Sequence, residues 1–429
     1  MNYYIETYGC QMNEADSELV SGLLDQIGGR PVADPNQADL IMVNSCSVRH
    51  NAERRALARL SQFKTLKKQN PSLKLGLIGC VAQQQRNQIL IDHPHIDIVL
   101  GPDAYRRIAD IVHINGDPLI DVKLSRRETY DCLEPHRRSA ISAYVSIMRG
   151  CDHFCSFCIV PFTRGRERSR PADSIRTEII HAVEAGFQEV TLLGQNVNSY
   201  HHGSDRFPEL LETVSAIPGI RRIRFTSPHP ANINEKMLHV MRARDNICKQ
   251  IHLPMQSGAT PVLKMMNRNY DQEHYLRVVD TIRRFLPEVT LTTDIIVGFP
   301  RETEADFEET LNVMDAVIFD GAFMFKYSPR PGTRAARLPD DVSPEIKSER
   351  LNRVIAKQKL HTRERNRALI GTTQTILIES SSKKNPIQKM GRTDGNKIVI
   401  VTEGDPAINT FTRVKITRSA GVTLFGIIT

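Results

Sequence analysis

No run of apolar residues in this 429-residue chain is long enough to cross a bilayer. The N-terminal MNYYIETYGC has neither the basic stretch nor the apolar stretch of a signal peptide. Membrane and secreted classes are therefore not expected, and a reducing, cytoplasmic setting is. In that setting the eight cysteines do not read as disulfides, which leaves metal ligation, catalysis or inert core packing. Charge is not strongly one-sided: 57 Lys plus Arg stand against 49 Asp plus Glu, a net of +8. That excess fits a mildly basic surface or a polyanion partner, and the location of the charge decides between them. With 40% hydrophobic and 25% charged residues, the chain can bury cores and is not broadly disordered. Its length predicts two or three domains, and nothing in it demands more than a monomer.

The expected fold class is α/β, in three parts. Residues 1–134 alternate strand-like runs (3–8, 39–44, 73–78, 96–100) with helical patterns (16–27, 51–68, 82–91), which predicts a parallel sheet flanked by helices. Residues 136–366 repeat the pattern. Strands are predicted at 143–148, 189–193, 222–226, 250–253, 290–297 and 322–326, and helices at 174–185, 207–215, 235–243, 273–285 and 304–317. Six βα repeats predict an open (β/α)6 partial barrel, a second doubly wound sheet being the alternative. A basic helix over 344–370 follows, with Lys347, Arg350, Arg353, Lys357, Lys359, Arg363, Arg365 and Arg367 against only Glu345, Glu349 and Glu364. Residues 367–429 change to short strands joined by polar turns, which predicts a small antiparallel β-barrel.

Six cysteines carry the chemistry. Cys151, Cys155 and Cys158 form a C-x3-C-x2-C cluster behind the first predicted barrel strand, where barrel enzymes build their sites. Three thiolates can hold three corners of a cubane cluster and leave the fourth iron open to a ligand. His153 lies inside the loop, so spacing alone leaves zinc open. Cys10, Cys46 and Cys80 are far apart in sequence, yet each ends a strand-like run (IETYGC, LIMVNSC, LGLIGC) and precedes a helix. In a parallel sheet those ends share one edge, which predicts a second three-thiolate site. Three unrelated core thiols would need no such common phase. Cys132 and Cys248 have no partner spacing and read as structural.

At this point a resemblance enters. VSIMRGCDHFCSFCIVPFTRGRERSRP resembles the radical S-adenosylmethionine signature. Together with the three N-terminal cysteines and the C-terminal barrel, the chain resembles the methylthiotransferases over essentially its whole length. TYGCQMNEADSE is similar to the MiaB-type branch, which acts on isopentenyl-adenosine in tRNA, and unlike the Leu-Gly-Cys-Pro-Lys-Asn form of the ribosomal-protein branch. NSCSVRHNAE, LLGQNVNSY, HLPMQSGA, TTDIIVGFP, YSPRPGTRAA and GRTDGNK fit the same branch. Ser45 stands where Thr is commoner and Arg301 where Gly is commoner.

The resemblance implies a transferase that methylthiolates carbon 2 of isopentenyl-adenosine beside the anticodon. It implies two 4Fe–4S clusters, one on Cys151, Cys155 and Cys158 and an auxiliary one on Cys10, Cys46 and Cys80. Two S-adenosylmethionine molecules are used per turnover, with an external electron donor and a sulfur source. Phe157, between two of the ligands, is a candidate to pack on the adenine, and strand-end logic adds Gln195, Asn196, Ser227, Gln256 and Asp294 as candidate S-adenosylmethionine contacts, with His229 as a weaker candidate on the substrate side. The C-terminal barrel resembles a TRAM domain, an RNA-binding module. The expected phosphate contacts are Lys389, Arg392, Lys397 and Arg413 there, and Arg164, Arg166, Arg168 and Arg170 in the basic loop TRGRERSR; the basic helix is expected to extend that surface. The competing readings are a ribosomal-protein aspartate methylthiotransferase and a non-catalytic iron–sulfur RNA-binding sensor.

Overall fold

A computed structural model describes residues 1–114, 116–138 and 141–429. The N-terminal sheet has the order β2 (Arg30–Pro31), β1 (Asn2–Tyr8), β3 (Leu40–Ser45), β4 (Lys74–Gly79), β5 (Ile98–Leu100), β6 (Leu119–Asp121), all parallel. Every residue of β3 is buried, as expected for a strand covered on both faces. Helices α1 (Gln11–Gln26) and α2 (His50–Gln69) follow β1 and β3, and α3 (Cys80–Gln85), α4 (Gln88–Asp92) and α5 (Ile108–Ile111) complete the layers. Helix α1 starts five residues before its expected start at 16, directly after Cys10, because the Asn13 side chain accepts from the Cys10 N–H and caps it. The expected helix over 82–91 is two helices, broken at Arg86 with φ 51°.

The second unit has two three-stranded parallel sheets. Their orders are β13 (Arg222–Phe225), β10 (Glu189–Leu193), β7 (Ser142–Ser146) and β14 (Gln250–His252), β15 (Thr290–Val297), β16 (Gly321–Lys326). A parallel bridge from Ile223 to Ile247 joins them into one open arc. Short pairings are made by β8 (Met148–Arg149) with β9 (Arg168–Ser169), and by β11 (His201–His202) with β12 (Asp205–Arg206). Helices α6 (Val160–Arg164), α7 (Ala172–Glu184), α8 (Phe207–Ser215), α9 (Glu235–Ala243), α10 (Thr260–Met265), α11 (Gln272–Phe285) and α12 (Glu304–Val317) accompany the strands. Val145, Leu192, Ile223, Ile251 and Leu291 pack under Ile179, Leu211, Leu238, Ile282 and Met314 in one core. Phe323 and Phe325 on the free edge strand β16 stay exposed.

Helix α13 (Pro344–Arg367), expected to extend an RNA surface, packs as a strut on the barrel with most of its cations engaged there. Lys347 pairs with Asp340, Arg350 with Glu302 and Glu304, Arg353 with Glu304 and Glu308, Lys357 with Asp315 and Arg365 with Asp320. Its cations are consumed by the acids of α12 and neighbouring turns, and only Lys359, Arg363 and Arg367 remain exposed. The C-terminal closed barrel runs β17 (Thr373–Ser381), β18 (Lys389–Thr393), β19 (Ile398–Glu403), β21 (Thr423–Ile428), β20 (Phe411–Ala420). It seats on the N-terminal ends of the partial-barrel strands. Arg222 and Arg224 donate to the carbonyls of Arg392, Thr375, Asp394 and Thr393, and Asp394 accepts from the Lys249 backbone N–H. Among the described residues no helix is long and apolar enough to cross a membrane.

Candidate functional site

Sheet register gathers the first three cysteines. Tyr8 pairs with Ser45, and Ser45 with Gly79, so the residues that follow leave three adjacent strands at one level of one edge. Gly79 makes the last turn at φ 91°, where a Cβ would sit 2.3 Å from Asn44 Oδ1; only glycine fits there. Beneath the trio lies a buried amide pair. Asn13 Nδ2 donates to Asn44 Oδ1 at 3.0 Å, and Asn44 Nδ2 donates to the Asn13 carbonyl and to Ser17 Oγ, each at 2.9 Å.

The three thiols feel one another. The contact with Cys46, together with the Arg164 charge, pulls Cys10 down to about 6 against the effect of burial, while the same contact and burial push Cys46 up. Burial raises Cys80, against the opposing pull of Arg164. The Cys46 Sγ accepts the Val48 N–H at 3.4 Å, and the Cys80 Sγ accepts Arg164 Nε–H at 3.3 Å.

The second trio sits in a loop held from several sides. Gly150 turns at φ 79°, where a Cβ would lie 2.0 Å from the Arg166 carbonyl. The Gly150 N–H donates to Gln195 Oε1 at 2.5 Å, Ser156 N–H to the Met266 carbonyl at 2.9 Å, and Asn267 Nδ2 to the carbonyls of His153 and Phe154. Burial pushes Cys151 and Cys158 each up to about 12, with neighbouring cysteine thiols adding to the effect. Arg268 Nη1 donates to Cys155 Sγ at 3.1 Å. Burial works against the Arg268 charge, but Tyr270 and Cys155 hold it.

The trios meet through one short helix. Arg164, at the C-terminal end of α6, lies six positions after Cys158 and touches Cys80. The domain junction around it is a buried ladder of ion pairs: Arg164 with Asp16 at 2.6 Å, Arg149 with Asp103 at 2.8 Å, Arg168 with Asp103 at 2.9 Å. Among the described residues, no group of three or more His, Cys, Asp or Glu side chains is arranged to hold a single metal ion. The donor sets fit a cubane, which spreads three thiolates over separate irons and takes N–H donors on its sulfurs. Each trio offers three thiols and one buried arginine N–H on a sulfur. His153 turns its ring to other partners. It stacks on His229 at 3.7 Å, and its nitrogens lie 3.0 Å from Asn196 Nδ2 and 3.4 Å from Asn269 Nδ2.

The expected cofactor contacts divide. Gln195 Nε2 and Asn196 Oδ1, beside the Cys151 loop, are buried without a protein partner, the condition in which a polar ligand atom is needed. Ser227 and Gln256 take φ 55° and 68° at neighbouring strand ends. Asp294 lies 3.3 Å from His252 Nε2, with the His252 ring against Phe323. Phe157 packs in part against Ala259, Val262, Met266, Phe299 and Tyr327 and remains half-buried beside the Cys155 and Cys158 loop. His229 is 7% exposed, its Nδ1 accepts from the Ala231 N–H, and burial with the nearby Arg268 and His153 charges drops it to about 2.

The basic loop is a correction. Arg164, Arg168 and Arg170 are buried, the last on Glu178 and the Ser146 carbonyl, because the loop threads the domain junction where acids need partners. Only Arg166 is exposed, paired with Asp152. In the small barrel, Lys397 is likewise taken up, by Asp320 at 2.7 Å and Asn366. Lys389 and Arg392 pair with Asp405 and Glu379, while Arg413 is exposed. Cys248 is buried beside Arg222 and Arg224, whereas Cys132 is exposed and so no core thiol. Asn13, Asn44, Asp16, Arg268 and the Phe323–Phe325 pair were not singled out from sequence. Polar Asn13, Asp16 and Ser17 at helical i, i+3, i+4 spacing after Cys10 are the signal that marks a buried polar face.

Comparison with known proteins agrees with this layout. Residues 2–101 match the Uncharacterized protein family UPF0004, residues 145–314 the Radical SAM superfamily and residues 367–429 the TRAM domain. The chain is 46% identical over 435 residues to a protein of Bacteroides fragilis named tRNA-2-methylthio-N(6)-dimethylallyladenosine synthase, covering 99% of this chain and 94% of that one. A Phocaeicola vulgatus protein of the same name is 45% identical over 434 residues, covering 99% and 95%. Among solved structures, the radical S-adenosylmethionine methyltransferase TsrM of Kitasatospora setae superposes with TM-score 0.58 at 12% identity, over 78% of this chain and 75% of that one. The cobalamin-dependent S-adenosylmethionine radical enzyme OxsB does so with TM-score 0.56 at 11% identity, over 83% and 56%. These two likenesses speak to fold alone. By full-length identity the chain belongs to the tRNA-2-methylthio-N(6)-dimethylallyladenosine synthase family, radical SAM proteins that end in a TRAM domain.

Proposed function

We propose that the protein is a radical S-adenosylmethionine methylthiotransferase acting on carbon 2 of N6-dimethylallyladenosine in tRNA. The observation that carries this is the pair of three-thiol sites, each at a C-terminal strand edge, joined across a buried junction by Arg164. Cys151, Cys155 and Cys158 would hold one 4Fe–4S cluster and Cys10, Cys46 and Cys80 the other. When bound, these groups supply reductive cleavage of S-adenosylmethionine and a sulfur acceptor for its methyl group.

The protein's part is placement. The buried amides of Gln195 and Asn196 offer an unpaired N–H and an unpaired carbonyl to the methionyl portion or ribose. Asp294 and His252 form a polar pair inside the arc, and Phe323 lies against it. Phe323 and Phe325 alternate with Ala322 and Met324, which pack on the helix-covered core, so the two rings face the open interior. They offer stacking and apolar surface to an adenine carrying a branched alkyl group. The His229–His153 stack braces the floor of the cysteine loop. Exposed Lys383, Lys384, Arg413, Lys415 and Arg418 of the small barrel are the RNA contacts left on that domain.

The test uses anaerobically reconstituted protein with S-adenosylmethionine, a reductant and an anticodon stem-loop carrying dimethylallyladenosine. Deoxyadenosine and methylthiolated RNA should appear together. An iron-loaded protein that makes no deoxyadenosine is a sensor or a scaffold instead.

A further inference from the structure

We infer that the start of α2 and the 328–337 loop form one arginine-rich rim that grips RNA phosphates at the mouth between the two cysteine trios. This rests on the tRNA reading above and goes beyond it in assigning the surface.

The two segments are latched together. Arg330 Nη2 donates to the Val48 carbonyl at 2.6 Å, and its other nitrogen lies 4.0 Å from Glu53. Each segment is also tied to one trio. On one side the Val48 N–H points to Cys46 Sγ. On the other, the Ala335 N–H donates at 2.7 Å to the carbonyl of Ser156, between Cys155 and Cys158. The two segments of the rim therefore each reach one of the two cysteine trios.

The rim carries Arg49, directly before α2, Arg54 and Arg55 from α2, and Arg334 and Arg337 from the loop, all exposed. No salt bridge to any of the five is found among the described residues. Arg54 reaches only Asn51, at 3.5 Å, and Arg55 lies over the Tyr8 ring at 5.1 Å. That separates them from the arginines of 163–170 and most of those of α13, whose charge is neutralised internally. Five uncompensated guanidinium groups on one rim suit the fork geometry of phosphate recognition. The occupant is a polyanion whose target base must enter between the trios, which is an RNA loop with its flanking phosphates.

The experiment measures binding of a dimethylallyladenosine-bearing anticodon stem-loop to the full-length protein by fluorescence anisotropy across a salt series. The variants are Arg49→Glu/Arg334→Glu and, separately, Arg54→Glu/Arg55→Glu. All four positions are exposed, and circular dichroism with iron content checks that fold and cluster loading are kept. Each double variant should bind at least roughly tenfold more weakly, with a salt slope shallower by about two. Lys383→Glu/Lys384→Glu on the far barrel should affect the stem-loop less than either. If the wild type binds and both rim variants match it in affinity and slope, the rim is not the phosphate surface. If the wild type itself shows no affinity for the stem-loop, the tRNA reading fails and this assignment with it.

Discussion

The guanidinium of Arg164 donates to the Sγ of Cys80 at 3.3 Å. The same group holds Asp16, on the helix that starts after Cys10, at 2.6 Å. One buried side chain from the barrel thus touches the auxiliary site and the element that carries its first cysteine. Removing it strands an acid in the interior, which costs far more than the net worth of the pair.

Arg164→Met should therefore lower unfolding stability by about 3–5 kcal/mol, and Asp16→Asn by a similar order. The double variant Arg164→Met/Asp16→Asn should recover part of the loss, because neither charge is then left alone. Chemical denaturation of the four proteins measures this. Strict additivity of the two single losses would show that the groups do not interact in solution.

The two trios should load independently. Cys10→Ala/Cys46→Ala/Cys80→Ala should retain about half the iron and sulfide of the wild type, as expected for two cubanes of like size. Cys132→Ser, at an exposed site, should retain all of it. Elemental analysis of anaerobically purified protein gives the answer, and full iron in the triple variant would remove the auxiliary cluster from the account.

Phe323 and Phe325 should discriminate the alkylated base. Replacing both with Ala should weaken binding or raise KM for a dimethylallyladenosine stem-loop by about tenfold, in line with about 1–3 kcal/mol per stacked base. The effect on an unmodified stem-loop should be smaller, since less apolar surface is lost. Equal effects on the two RNAs would mean the rings do not touch the alkyl group.

Acid should destabilise the fold through His229. The unfolded chain takes up a proton at this ring near pH 6.5, and the folded chain only near pH 2. Between those values the unfolded state binds more protons, so stability falls as pH drops. At pH 5 the loss from this group is about 2 kcal/mol relative to neutral pH. His229→Gln should be less stable than wild type at neutral pH and should show less of this acid-dependent loss. Thermal denaturation at pH 5 and 7 compares the two.

The strands and the two cysteine trios were legible because period-2 and continuous apolar runs are local, and because strand ends in a parallel sheet share an edge. Cys10, Cys46 and Cys80 could be placed together without coordinates for that reason alone. The arginines were misread for the opposite reason. TRGRERSR is basic as a string, but Arg164, Arg168 and Arg170 are balanced by Asp16, Asp103 and Glu178, which lie between 8 and 148 positions away. Net charge of a segment says nothing about partners that only tertiary contact supplies. Arg268 was invisible on the same ground: NRNY has no pattern until α10 delivers it to Cys155.

The seat of the C-terminal barrel sets a length scale. It rests on the beginnings of the partial-barrel strands, whereas the Cys151, Cys155 and Cys158 loop opens at the other end, and the eight residues of β15 span roughly 26 Å between such levels. An RNA that engages both must run down the outer wall, as a rope laid along a post. A short hairpin can be held only at the top. On the proposed function, a whole tRNA would be held at two stations, and the second would tighten the first by keeping it close.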